Sequence, residues 1–179
     1  GPFLADLAKI YHQMGKYSLA EDCFNESLSI IESTYGPDHL YTASVFADLA
    51  ETYSVQGKYS KSGRFIQRCE KIRKDIYAGA YIPDPSQLIT MSRNAAAAGD
   101  ISQARQYLTQ ALETAQQNYS SDHYLCGIVL SEMAELNLSA GNFSEAGLNA
   151  SQAVNILTKS LGKDSEITAR AMEKQARVM

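Results

Sequence analysis

Gln13-Met14-Gly15-Lys16-Tyr17, Val55-Gln56-Gly57-Lys58-Tyr59, Ala97-Ala98-Gly99-Asp100-Ile101 and Ser139-Ala140-Gly141-Asn142-Phe143 are four versions of one phrase. Their glycines stand at 15, 57, 99 and 141, so every step is 42 residues with no insertion. Self-similarity at a fixed period marks a repeat architecture, and it decides the fold before any single residue does. Other columns keep the same register. Seven residues before each glycine stand Ala8, Ala50, Ser92 and Ala134, and five after stand Ala20, Ser62, Ala104 and Ala146. Twelve after stand Ser27, Cys69, Ala111 and Ala153. The large apolar columns lie eleven before (Leu4, Phe46, Leu88, Leu130) and eight before (Leu7, Leu49, Met91, Met133).

These columns describe a helical hairpin. Apolar residues eleven, eight, seven and four before the glycine share one helical stripe, as Leu4, Leu7, Ala8 and Tyr11 do. The glycine ends this first helix in a left-handed cap. Two residues on, an aromatic or aliphatic residue packs the corner. The serine after it (Ser18, Ser60, Ser102, Ser144) is expected to N-cap a second helix. Second helices are predicted over 18–34, 60–77, 102–119 and 144–161. The small columns let the two helices approach closely. Between repeats lie Gly36-Pro37-Asp38-His39, Ala78-Gly79-Ala80-Tyr81, Ser120-Ser121-Asp122-His123 and Gly162-Lys163-Asp164-Ser165. In the third repeat, Asp84, Pro85 and Gln87 have the form of a capping box with proline at the first helical position.

The 179 residues are 45% hydrophobic and 20% charged, enough for a real core and against global disorder. Lys plus Arg number 16 and Asp plus Glu 20, a net charge of −4. That acidic balance argues against nucleic acid as a partner. The tyrosines do not change this, since Tyr11, Tyr17, Tyr53 and Tyr59 are read as core members of repeat columns. No apolar run reaches the roughly 18 residues of a membrane span, so no membrane insertion is expected. Three scattered cysteines, Cys23, Cys69 and Cys126, suggest neither a disulfide framework nor a metal site. Cys69 stands in a small-residue column and should be buried. His123 and Cys126 are three apart, but His123 shares its column with His39, so a turn-capping role is favoured over a Cys–His nucleophile. No phosphate loop, dinucleotide fingerprint or metal motif occurs, so no catalytic residue, cofactor or metal is expected. The sequons at Asn25, Asn118, Asn137, Asn142 and Asn149 read as a by-product of serine-rich composition, and a reduced, cytoplasmic setting is expected. Gly1-Pro2 ahead of Phe3 has the form of a protease scar, so targeting signals are expected to be missing.

The pattern resembles the tetratricopeptide repeat, whose common period is 34. The period of 42 and phrases such as Tyr35-Gly36-Pro37-Asp38-His39 look like the kinesin-light-chain subtype; 42 − 34 leaves eight residues, about one extra turn per helix. The resemblance implies an all-α, right-handed α-α superhelix of antiparallel helix pairs. The expected divisions of one continuous array are 1–35, 36–77, 78–119 and 120–161, with a partial fifth repeat or capping helix over 162–179. The fifth glycine would be due at 141 + 42 = 183, so an apolar stripe around Met172 and Ala176 is left for further chain or self-association to cover.

By the same resemblance the first helices line a concave surface that receives a peptide or partner segment, making a non-enzymatic protein-interaction scaffold. The alternative is a ligand-sensing array that controls an enzyme or NTPase domain elsewhere. The asparagines with which kinesin light chains hold cargo peptides are missing from Leu4-Ala5-Asp6-Leu7 and its counterparts. The carboxylate clamp of chaperone-binding members is also missing: Lys9 and Arg93 are present, but Glu51 lies between them and no clamp asparagine appears. Candidate contacts on the face turned away from the second helix are Asp6, Lys9, His12, Gln13, Asp48, Glu51, Ser54, Arg93, Glu132 and Glu135. One column, six before each glycine, reads Lys9, Glu51, Arg93, Glu135. Its alternating signs suit a peptide of mixed charge or, equally, ion pairs between repeats at a solvated surface.

Overall fold

The computed structural model describes residues 1–78 and 81–178. Among them the chain is all helical: α1 (Pro2–Gln13), α2 (Tyr17–Tyr35), α3 (Leu40–Val55), α4 (Tyr59–Ile76), α5 (Pro85–Ala97), α6 (Ile101–Asn118), α7 (Tyr124–Ser139), α8 (Phe143–Leu161) and α9 (Glu166–Val178). Two compact units form, Gly1–Pro83 and Asp84–Met179. The first holds the hairpins α1–α2 and α3–α4; the second holds α5–α6, α7–α8 and the added α9. Gly79, Ala80 and Met179 lie outside the described residues.

The small columns do what the hairpin requires. Ala8, Ala50 and Ala134 are fully buried, as are Ala20, Ser62, Ala104 and Ala146 on the helices that face them. Where a serine replaces alanine, its hydroxyl donates across the contact. Ser62 Oγ bonds the Ala50 carbonyl at 2.7 Å, and Ser92 Oγ bonds the Ala104 carbonyl at 2.9 Å. The two columns therefore meet backbone to side chain, with no space for a larger group. Ser27, Cys69, Ala111 and Ala153 are likewise fully buried. In the second unit even an alanine is too large at one place: a Cβ on Gly127 would stand 2.7 Å from Leu157 Cγ.

Each corner closes as a Schellman turn. Gly15 has φ +70°, its N–H bonds the His12 carbonyl, and the next N–H, of Lys16, bonds the Tyr11 carbonyl. Gly57, Gly99 and Gly141 repeat the pattern with positive φ. The helix that follows starts one residue earlier than the predicted range, and its cap lies two residues before the serine. Tyr17, Tyr59, Ile101 and Phe143 are its first residues, and Lys16, Lys58, Asp100 and Asn142 are the N-caps. The serines are thus not the caps, because the turn delivers the residue directly after glycine to that position. Only Asp100 uses its side chain there, accepting from the Gln103 N–H at 2.9 Å.

The turns into the first helices follow the sequence more closely. His39 and His123 cap α3 and α7 by accepting from the Tyr41 and Leu125 N–H groups. Each imidazole also stacks on the last tyrosine of the preceding repeat, Tyr35 or Tyr119. Asp84 and Gln87 form the expected capping box of α5, with Pro85 at its start. Tyr53 is buried and Tyr11 and Tyr17 are half-buried, whereas Tyr59 is exposed. In α9 the buried residues are Thr168 and Ala171; Met172 is half-buried and Ala176 exposed.

Replacing Ala146 with tryptophan should therefore destabilise the second unit by about 2–4 kcal/mol through overpacking. Chemical denaturation checks it; an unchanged midpoint would show that the α7–α8 contact is looser than the fully buried Ala134 and Ala146 indicate.

Candidate functional site

The candidate residues sit on the first helix of each hairpin, Asp6, Asp48 and Glu132 nine before the glycine, Lys9, Glu51, Arg93 and Glu135 six before, and His12, Gln13 and Ser54 two or three before. A long side chain from one first helix can thus reach a carboxylate on the next. In the first unit Lys9 Nζ stands 3.4 Å from Asp48 Oδ2. His12 Nδ1 lies 3.0 Å from Thr52 Oγ1. Thr52 already donates its hydroxyl proton to the Asp48 carbonyl at 2.8 Å, so it accepts from His12, which fixes the proton on Nδ1. The other ring nitrogen faces Glu51 Oε1 at 4.0 Å. Asp6 and Gln13 are exposed on the same helix.

Burial pushes the Asp48 carboxyl up to about 6, with Glu51 adding to the effect, against the opposing pull of Lys9 and Arg73. Folding thus disfavours the ionised form relative to the unfolded chain. The stability carried by the neutral carboxyl is fully present below its ordinary value of 3.8 and is lost as pH rises through about 6.

In the second unit the pairing is tighter. Arg93 clasps Glu132 with both prongs, Nε to Oε2 and Nη2 to Oε1, each at 2.9 Å. Lys174 Nζ adds a third contact to Oε1 at 2.8 Å. The Glu132 side chain is only 13% exposed. Burial alone would raise its pKa, but Arg93 and Lys174 outweigh it and hold the carboxyl at about 2. Its contribution to stability is present above the ordinary carboxylate range and lost only as pH falls through about 2. Arg177 Nη2 pairs with Glu135 Oε1 at 2.9 Å.

The structure therefore brings together Lys9 with Asp48, His12 with Glu51, and Arg93 with Glu132. The alternating column is partly consumed by ion pairs between successive first helices. Arg93 and Glu132 are not solvated surface charges: they form a half-buried, bidentate pair. Ser54 departs from the expectation outright. It is 3% exposed, and its Oγ has no hydrogen-bond partner among the described residues. Lys174 and Arg177 were missed as members of this face. Their signal was in the period, since 132 + 42 is 174 and 135 + 42 is 177.

Elsewhere the chemistry is quiet. Cys126 is buried, its thiol pushed up by desolvation, and its Sγ contacts the Ser120 carbonyl at 3.6 Å while His123 is engaged with the backbone. Cys69 is buried and Cys23 half-buried, and none of the three cysteines is in a disulfide. Among the described residues no group of three His, Cys, Asp or Glu is placed to hold a metal ion, and no helix is long and apolar enough to cross a membrane.

Comparison with known proteins is consistent with this geometry. The sequence profile of the tetratricopeptide repeat matches residues 3–75 and 88–159. No curated protein matches the chain. Among solved structures, a protein described as a kinesin light chain with nearly identical TPR-like repeats, from Podosopora anserina, is 20% identical with a TM-score of 0.65. The alignment covers 99% of this chain and 84% of that one. BtubC (BKLC) from P. vanneervenii is 17% identical with a TM-score of 0.72, covering 98% of this chain and 70% of that one. At these identities the likeness is one of fold.

Two outcomes test the electrostatics. Asp48→Asn should raise the melting temperature above pH 6, by the equivalent of about 1–3 kcal/mol, and the gap should close as pH falls toward 4. A pH-independent difference would show that Asp48 titrates normally. Arg93→Glu should cost roughly 2–4 kcal/mol, because it leaves Glu132 buried beside a second carboxylate. Equal denaturation curves for that variant and the native chain would mean the pair is open to water.

Proposed function

The chain belongs to the tetratricopeptide repeat family, and from that premise we propose that it is a non-enzymatic scaffold that seats an extended segment of a partner protein against its first helices. Repeats of this family serve protein–protein interaction, and what supports the finer reading is the accessible charge left on α1 and α3. The Lys9 side chain is 51% exposed and that of Glu51 43%, with Asp6 and Gln13 exposed beside them. On this face the carboxylates Asp6, Asp48 and Glu51 stand against Lys9 and His12. A partner segment carrying cationic side chains is the complementary one, and it would be steered by charge. The first helices of the second unit contribute differently. Their Arg93–Glu132–Lys174 cluster ties successive helices together and acts as a brace. A reduced, cytoplasmic setting suits the free thiols.

The test starts from a partner captured by affinity and then purified. Titration of that partner against the native chain and the Asp6→Lys/Glu51→Lys variant should show affinity falling by about 1–3 kcal/mol, with a shallower salt dependence. Equal affinities, with the fold intact by circular dichroism, would remove α1 and α3 from the interface.

A further inference from the structure

A cleft of about 390 Å³ opens in the second unit between α6 and α8, floored by α7. Its walls include Leu108, Leu130, Asn137 and Asn149, and Arg105 and Glu145 form an ion pair of 3.6 Å at its rim. The repeat supplies a counterpart for each wall residue two steps of 42 earlier, in the first unit. Those counterparts are Phe24, Phe46, Tyr53 and Phe65. In the first unit all four are aromatic, and they pack on one another. Tyr53 and Phe65 stack at 5.6 Å with their planes 12° apart, and Phe46 and Phe65 are also 5.6 Å apart. The Tyr53 hydroxyl finishes the arrangement by donating to Glu21 Oε1 at 2.6 Å. In the second unit the same positions hold two leucines and two asparagines. The backbone scaffold is repeated, but the rings are gone.

A second observation gives the cleft a polarity. Asn137 is 4% exposed, and its Oδ1 has no hydrogen-bond partner among the described residues. A buried amide oxygen left unmatched costs free energy that a donor would recover. The amide offers an acceptor and a donor together, and a phenol hydroxyl is a donor and an acceptor together. A phenol entering tip first would bring its hydroxyl to Asn137 and leave its ring among Leu108, Leu112, Leu130 and Met133. The size, and walls that join Leu108, Leu112, Leu130, Met133, Leu136 and Leu148 to a few polar side chains, are those of a ligand pocket.

We propose that this cleft is a binding site for a neutral phenol ring, which takes the place that the first unit fills with its own aromatic side chains and satisfies Asn137. The site is separate from the first-helix face and does not depend on the reading given above for that face.

The probe is p-cresol, the side chain of tyrosine, titrated into the full chain and followed by amide chemical shifts in α7 and α8. Toluene is the control that lacks the hydroxyl. Saturable shifts are expected, with p-cresol about tenfold tighter than toluene, the worth of one hydrogen bond. Asn137→Leu should erase that tenfold preference while leaving toluene bound. Asn137→Tyr/Asn149→Phe, which restores the first unit's pair, should abolish binding of both. A capped Ala-Ala-Tyr-Ala-Ala peptide separates the two sources of a phenol: shifts at the same amides assign the ring to a partner's tyrosine, and shifts with p-cresol alone assign it to a free phenol. The proposal is overturned if shifts do not saturate or if toluene and p-cresol bind the native chain equally. It also fails if p-cresol keeps its preference in Asn137→Leu. That last variant keeps the test decisive if the double variant does not fold.

Discussion

Every hairpin depends on one close contact, the approach of two helices across the columns seven before and five after the corner glycine. Alanine at 8, 50 and 134 faces alanine or serine at 20, 62 and 146, and all are buried. The third hairpin inverts the choice, with Ser92 against Ala104, and keeps the contact by a hydroxyl-to-carbonyl bond. Such a bond neutralises a polar group that would otherwise be costly inside. A helix pair this close has little tolerance for volume, which makes the turn that sets its spacing equally constrained. The positive φ at Gly15, Gly57, Gly99 and Gly141 is the backbone side of the same requirement.

What is built on that frame differs between the two units. The first unit spends aromatic mass, stacking Tyr53 on Phe65 and packing Phe24 and Phe46 nearby. It leaves its first helices with long side chains in partial contact with water. The second unit is leaner in rings and richer in paired charge, with Glu132 gripped by Arg93 and Lys174. Burying that carboxylate is tolerable because three charge-assisted hydrogen bonds replace its water. Asp48 occupies the same column, with Lys9 pairing at 3.4 Å, and its carboxyl is pushed up to about 6 rather than down. The same repeat position thus carries opposite electrostatics: Arg93 and Lys174 both hydrogen-bond Glu132, whereas Asp48 has Lys9 at 3.4 Å, a weaker pull from Arg73 and the adverse charge of Glu51.

This difference bears on function. The α1–α3 charges are paired, Lys9 with Asp48 and His12 with Glu51, but the Lys9 and Glu51 side chains stay 51% and 43% exposed, whereas the Arg93 and Glu132 side chains of the second unit are more deeply covered, at 29% and 13%. The second unit offers instead an apolar cleft with one unmatched amide. The two kinds of recognition would draw on different physics, charge steering on the first face and ring burial in the second, and so would respond differently to salt.

The period of 42, read from four glycines, was enough to place the helices to within a residue or two, the small columns and the capping box of Asp84 and Gln87, because all of these are set by local backbone geometry and by periodicity. The serine caps were misread for the same local reason: a Schellman turn puts the residue after glycine at the cap, two places earlier than composition suggests. The candidate face was legible as columns, but its chemistry was not. Which carboxylate Arg93 would grip, that Ser54 would turn inward, and that Asn137 would be left with a bare oxygen where Tyr53 fills its space were decided by tertiary structure. A long side chain chooses among partners on the neighbouring helix, and a cavity belongs to several helices at once, so neither can be read from the spacing of one.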